Sequence, residues 1–288
     1  MAEIQPYHST RIKLQNMKIK LFFALFTCSF VTNSIMSQNS LEDTLRYEII
    51  YDLSYQENKE DTLNIQSEQM VLKVAKNFSY YISYNNMKLR DMLSGHKNSN
   101  EVPMIQSRPK SKLLYTIVKD YKNDKIIFSD RIGQDIYSFS QPLNKLEWTL
   151  HNEQKEILGY QCKKATTKFA GRDYIAWYST EISISDGPYK FHGLPGLIFL
   201  IYDTNEHYKF NISSIKNNTN YFNTEDEFYK HIEISNKEYK VLKQKYREKP
   251  SSMMNSGGMT FPKEMLDMAD KRAKEKIKYE NNPIELTD

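Results

Sequence analysis

Cysteine is almost missing from this chain: Cys28 and Cys162 are the only two among 288 residues. Cys28 lies in an apolar leader, so once the leader is removed only Cys162 is left, no intrachain disulfide is possible, and stability must come from the core. Glycine is scarce too, with nine in the whole chain, so Asn, Asp and Ser must make most of the tight turns. Recognised catalytic motifs are absent. The sequence has no G-x-S-x-G elbow, H-E-x-x-H, phosphate-binding loop, G-x-G-x-x-G or C-x-x-C, which counts against the common enzyme classes. Net charge is nearly absent as well. The formal +4 comes largely from residues 1–37, and without their four basic groups and one acid the balance is 36 basic to 35 acidic. A near-neutral chain has no electrostatic footprint for nucleic acid.

Aromatic side chains, in contrast, are abundant, with 21 Tyr, 14 Phe and 2 Trp. That content suits pleated, half-buried surfaces. Residues 17–37 have the form of a secretory signal: Lys18 and Lys20, then a short apolar run from Leu21 to Val31, then Ser34 or Ser37 for cleavage. The apolar run is too short to span a bilayer as a helix. Phe26, two residues before Cys28, fits a lipid-attachment signal poorly. Residues 1–16 read as an upstream extension of the natural start at Met17, and the exported remainder is expected in the periplasm or on the periplasmic face of an outer membrane.

Leu45 to Leu53 alternate apolar and polar residues, as a strand with one buried face does. Met70–Ala75 and Phe78–Tyr84 read as two further strands, and Leu113–Lys119 with Lys125–Arg131 as a hairpin. Ile136–Ser140 and Leu146–His151 are short strands, and Glu156–Phe169 with Arg172–Thr180 form a hairpin around Ala170-Gly171. Gly95–Lys112, polar and containing two prolines, reads as a long surface loop. Leu194-Pro195-Gly196-Leu197 fits a type II turn with Gly196 at positive φ. The unbroken apolar run Leu197–Tyr202 that follows reads as a strand covered on both faces, and Tyr208–Ile215 as the last strand. After Asn217 the chain becomes charged and helical, at Glu225–Ile232, Lys237–Arg247 and Lys263–Tyr279, with Lys249–Gly258 as a linker. The expected architecture is mainly β: residues 38–217 form one large curved antiparallel sheet or open half-barrel. Residues 218–288 form a helical segment packed on it.

The run from Ile157 to Asp203, which contains Gly193-Leu194-Pro195-Gly196-Leu197-Ile198, resembles the GLPGLI family of exported Bacteroidota proteins. The ending Asn282-Pro283-Ile284-Glu285-Leu286 resembles that family's C-terminus. The resemblance implies export and strand content and supplies no activity. More distantly, the expected architecture is similar to the open half-barrel of periplasmic lipoprotein carriers, which is an analogy of fold.

These readings point to a non-enzymatic periplasmic carrier for an apolar or amphipathic ligand, whether lipid, lipoprotein or peptide, with no cofactor. Arg172 supplies forked donors for an anionic group, Trp177 and Tyr178 an aromatic wall, and His192, Leu194 and Leu197 the floor. Two alternatives remain open at this point. Met253, Met254 and Met259 offer thioether sulfur for Cu(I) handling, and the chain would equally serve as a structural accessory of an outer-membrane complex. Cys162 with His192 is a candidate nucleophile and base, against its reading as a small buried hydrophobe.

Overall fold

The computed structural model describes residues 41–95, 108–144, 146–224, 231–254 and 260–287. The expected leader at residues 17–37, Cys28, His96, Met259 and most of the expected 95–112 loop lie outside these ranges. The first half of the chain runs β1 (Glu42–Thr44), β2 (Tyr47–Gln56), β3 (Ile65–Val74), β4 (Phe78–Ser83), helix α1 (Tyr84–Gly95), β5 (Thr116–Asp120), β6 (Lys125–Ile132) and β7 (Asp135–Pro142). The second half adds β8 (Thr149–Ile157), β9 (Tyr160–Phe169), β10 (Arg172–Ser179), β11 (Leu197–Asp203), β12 (Tyr208–Asn217), β13 (Tyr221–Asn223) and β14 (His231–Glu233). Helices α2 (Asn236–Glu248), α3 (Ser251–Met254) and α4 (Lys263–Tyr279) follow.

Twelve of the described strands form one sheet in the order β14-β7-β6-β5-β4-β3-β2-β12-β11-β10-β9-β8. Every pairing is antiparallel except β14 with β7. The fold is therefore mainly β with a large antiparallel sheet and few helices, as expected, but it contains two meanders rather than one. Strands β2 to β7 run outward to one side, the chain crosses to the far edge, and β8 to β12 run back until β12 lies against β2.

That crossing forces the sheet to curl. β7 and β8 are ten strand positions apart, which in a flat sheet would be roughly 48 Å at about 4.8 Å per strand. The connection from Pro142 to Thr149 reaches at most roughly 25 Å. Bulges at Trp177/Tyr178, Ile212/Ser214 and Leu150/Gln154 supply local bends.

The concave face of the curl is filled by the chain itself. Inward residues of β2 to β7 and β9 to β12 form one buried cluster with Ile184, Tyr189, Phe191 and Leu194 from the segment joining β10 to β11. Phe191 meets Tyr174 edge-on at 4.7 Å and Phe169 at 5.2 Å. A second, smaller cluster lies on the outer face around Val71, Tyr80 and Val118, where the two-stranded β1–β13 ribbon brings Phe222 to 5.2 Å from Tyr80. Helix α2 docks on β6 and β7 through Tyr239, 5.6 Å from Phe128 and 5.0 Å from Phe139. Tyr239 and Lys243 both donate to Asp130.

Several local expectations are corrected. The stretch Glu156–Phe169 is two strands, because Leu158 (φ 53°) and Gly159 (φ 80°) make a tight turn between β8 and β9. Ile232 belongs to a strand, not a helix. Gly196 does not take positive φ; that conformation belongs to Gly193 (φ 95°). Gly196 serves close approach instead, since a Cβ there would stand 2.1 Å from the Ser179 carbonyl oxygen. Gly196→Ala is expected to cost about 3 kcal/mol in urea unfolding, the upper end for overpacking, because backbone cannot move aside as a side chain does. Gly159→Ala, which meets nothing within 4 Å, is the control, with only left-handed strain of about 1–2 kcal/mol.

Candidate functional site

A polar cleft of about 320 Å³ lies beside the part of β3 that runs beyond its pairing with β4, lined among others by Tyr55, Gln66, Glu68, Tyr84, Asn85 and Lys112. Its centre is set by strand phase. Gln66, Glu68, Met70 and Leu72 share the inward face of β3, and Glu68 pairs across from Leu53 on β2. The inward face is apolar up to Met70 and turns polar beyond it, so Glu68 stands where the core meets the opening.

Glu68 organises its surroundings. Its Oε1 accepts from the hydroxyls of Ser83 and Ser111. Ser83 also accepts from the Asn86 amide at 3.4 Å, the N-cap arrangement that starts α1. From that helix, Asn85 donates to the Lys110 carbonyl at 2.8 Å and Asn86 to the Leu113 carbonyl at 2.7 Å. These bonds pin the 110–113 segment as one wall. Lys112 closes the outer side, donating to Glu57 at 3.1 Å and Gln66 at 3.0 Å. Tyr55 stacks on Tyr208 with ring centres 6.2 Å apart. Burial, with Glu57 and Glu68 nearby, pushes the Tyr55 phenol well above its ordinary value, so it stays a donor. The cleft thus presents a carboxylate, side-chain amides, ammonium groups and the half-buried Tyr84 ring to a polar ligand.

The residues singled out in the sequence are scattered by the fold. Tyr178, Leu194 and Leu197 are buried in the main core. Trp177 is half-buried against the same core, with the Lys155 ammonium 4.2 Å above its ring. His192 is buried in the β10–β11 segment, its Nδ1 2.9 Å from the Lys190 carbonyl and its own carbonyl accepting from Trp148. Burial pushes its imidazole below the ordinary value, with the Lys119 charge adding to the effect. Cys162 is fully buried on β9, where its thiol donates weakly to the Tyr160 carbonyl; burial pushes it up to about 11. A thiol held protonated is a poor nucleophile. Met253 and Met254 form part of the short α3. Among the described residues, no group of three or more His, Cys, Asp or Glu is arranged to hold a metal.

Arg172 is the most committed side chain in the molecule. Its Nη1 reaches Asp203 at 3.2 Å and His207 Nδ1 at 3.2 Å. Its Nη2 donates to Asn282 Oδ1 and the Pro283 carbonyl, each at 2.6 Å, and its Nε to the Ile284 carbonyl at 3.1 Å. All five guanidinium protons therefore have partners within the chain.

Glu68 and its surroundings were missed in the sequence because Ile65–Gln69 looks like ordinary solvated strand. The available signal was phase. Continuing the inward register of Met70 and Leu72 back to Glu68 and Gln66 puts a carboxylate and an amide on a face that is otherwise buried.

Comparison with known proteins changes the reading of this fold. Two crystal structures of PNGF-II, in space groups P21 and C2, superpose with TM-scores of 0.53 and 0.52 at 18% identity. Each match covers 70% of this chain, and the chain spans about a third (34% and 33%) of those longer proteins. Among curated proteins nothing matches. The family profile that matches is "N-glycanase peptide, N-terminal domain", over residues 53–241. It overturns the GLPGLI assignment, and with it the non-enzymatic carrier of a lipid, lipoprotein or peptide and its copper-handling and accessory alternatives. The carrier reading also fails physically, because the concave face is filled by Phe191, Tyr189 and their neighbours. The expectation of a non-enzyme falls to the same finding. With residues 53–241 of 288 matched, the chain belongs to the family of the N-glycanase peptide N-terminal domain.

Proposed function

We propose that this chain acts on N-glycosylated peptides, with the polar cleft around Glu68 as the place where the inner sugars are held, and that it does so outside the cytoplasm. The family match supports this substrate class, and so does the chemistry of the cleft. A sugar ring presents adjacent hydroxyls that both donate and accept, together with apolar C–H faces. Glu68, Gln66 and Asn85 meet the first need, and the half-buried Tyr84 ring the second. At about 320 Å³ the cleft is at the small end of ligand sites, roughly 300–1,000 Å³. It therefore suits the one or two sugars nearest the asparagine rather than a whole antenna. The signal-like residues 17–37 support export.

Calorimetric titration with a peptide carrying a chitobiose unit on asparagine, beside the same peptide without sugar, tests this. The sugar-bearing peptide is expected to bind and the bare one not. Glu68→Gln, nearly identical in shape, is expected to weaken binding at least tenfold, about 1.4 kcal/mol. Equal binding of the two peptides, or no effect of Glu68→Gln, would overturn the assignment. Mass spectrometry of the incubated glycopeptide then shows whether the glycan is retained or released.

A further inference from the structure

After α4 the chain has no regular structure, yet residues 282–287 are held at every position. The Asn282 amide donates to the Glu57 carbonyl at 3.1 Å, and its carbonyl accepts from Tyr208 at 2.6 Å. Its side chain is read at both ends: Oδ1 accepts from Arg172, and Nδ2 donates to the Gln56 carbonyl at 2.7 Å. The Pro283 and Ile284 carbonyls take two further Arg172 donors. Glu285 meets Lys190 at 2.7 Å and Tyr189 at 2.6 Å. The amides of Leu286 and Thr287 both reach the Ala170 carbonyl.

A segment without regular structure is ordinarily among the more mobile parts of a domain. This one lies in a groove made wholly by distant parts of the chain, from the end of β2 to the β9–β10 turn. The groove contacts the main chain of successive residues and reads two side chains, as peptide-recognition grooves do.

We propose that this groove is a peptide-recognition site occupied in cis by residues 282–287. Its ligand class is a peptide with asparagine at one position, proline next and a carboxylate three residues after the asparagine, bent at the residues that follow the proline and the carboxylate. Arg172 and the Gln56 carbonyl require an acceptor and a donor on the same side chain, which an amide has and a carboxylate lacks. Lys190 and Tyr189 select the carboxylate. Proline suits its position because no N–H is needed there and its fixed φ lowers the cost of ordering the chain. This site is separate from the sugar reading of the Glu68 cleft and does not depend on it, although Tyr55 and Glu57 border both.

In the intact chain the tethered segment outcompetes free peptide through its high effective concentration, so the test cuts the tether. A protease recognition sequence is placed between Glu280 and Asn281 in the full-length protein. The cleaved protein is then incubated with a fluorescent peptide of residues 281–288. Saturable uptake of the label is expected, with native circular dichroism retained. Peptides carrying Asn282→Asp or Glu285→Gln are expected to bind at least tenfold more weakly, and uncleaved protein to take up little. Folded cleaved protein that takes up no label would overturn the proposal. So would equal uptake of a scrambled peptide. Unfolding on cleavage would show the segment to be a fixed structural staple and would overturn it as well.

Discussion

Lys119→Met is expected to destabilise the protein by about 3–5 kcal/mol, the cost of leaving one partner of a buried ion pair without its counter-charge. Lys119 and Asp186 side chains are both 0% exposed. The ammonium is saturated, bonded to Asp186, to the Gly187 carbonyl at 2.7 Å and to the Phe191 carbonyl at 3.0 Å. Those three acceptors belong to the segment between β10 and β11 that fills the concave face, so one side chain on β5 fastens the plug to the wall. Burial pushes the Lys119 amine below its ordinary value, and Asp186 opposes that shift. Methionine conserves length but leaves the Asp186 carboxylate and two carbonyls facing apolar surroundings. Urea unfolding measures the loss, with a fall in melting temperature of roughly 2–4 °C per kcal/mol for a domain of this size. The double variant Lys119→Met/Asp186→Asn is expected to recover most of it. The uncompensated charge is gone, and Asn keeps the oxygen that accepts from the Gly187 amide at 2.7 Å. A loss below about 1 kcal/mol in the single variant would show that the plug is held by its aromatics alone.

Arg172→Met is expected to cost a similar amount, about 3–5 kcal/mol, but with a different local signature. Arg172 and Asp203 side chains are only 4% and 1% exposed. Asp203 also accepts from the Tyr208 amide at 2.7 Å, so removing the guanidinium strands a carboxylate that is itself fixed. It also releases the Asn282 side chain and the Pro283 and Ile284 carbonyls. Hydrogen exchange is therefore expected to accelerate first at the Leu286 and Thr287 amides, before the β-sheet core. Arg172→Lys is expected to recover only part of the stability. An ammonium has three donors on a compact head and cannot serve five acceptors arranged for a planar fork. Uniform acceleration of exchange across the whole sheet would contradict this local role.

How much of this was legible in the sequence depends on the range of the physics involved. β2 was readable because Ile49, Tyr51 and Leu53 alternate with outward residues over the full length of the strand. α4 was readable from the spacing of Leu266, Ala269, Ala273 and Ile277, and its observed bounds match those expected. The turn at Ala170-Gly171 was readable from its glycine. Its counterpart at Leu158-Gly159 was not, because Leu158 adopts left-handed φ against its own preference, held there by pairing of the strands on either side. Gly196 was recognised as special for the wrong reason. Its need is set by the Ser179 carbonyl, seventeen residues earlier in sequence.

The site was less legible than the fold. Arg172 stood out among aromatics, but its partners are 31 to 112 residues away in sequence. Glu68 did not stand out at all, since a carboxylate in a polar stretch looks solvated until the inward register of β3 is followed through it. Groups brought together from separate strands, like those lining this cleft, leave no fixed spacing in the sequence to read.

By itself, the sequence determined the local states: the periodicities that make strands and helices, the unbroken apolar run Leu197–Tyr202, and the dependence on a core rather than disulfides. These follow from side-chain size and polarity over a few neighbouring residues. Tertiary structure alone decided the crossing from β7 to β8, the curl it forces, the filling of the concave face by the β10–β11 segment and the placing of Glu68 in the polar cleft. It also decided that Arg172 holds residues 282–284. Each of these depends on contacts between residues far apart in the chain, where pairing and close packing, rather than local preference, set the energy.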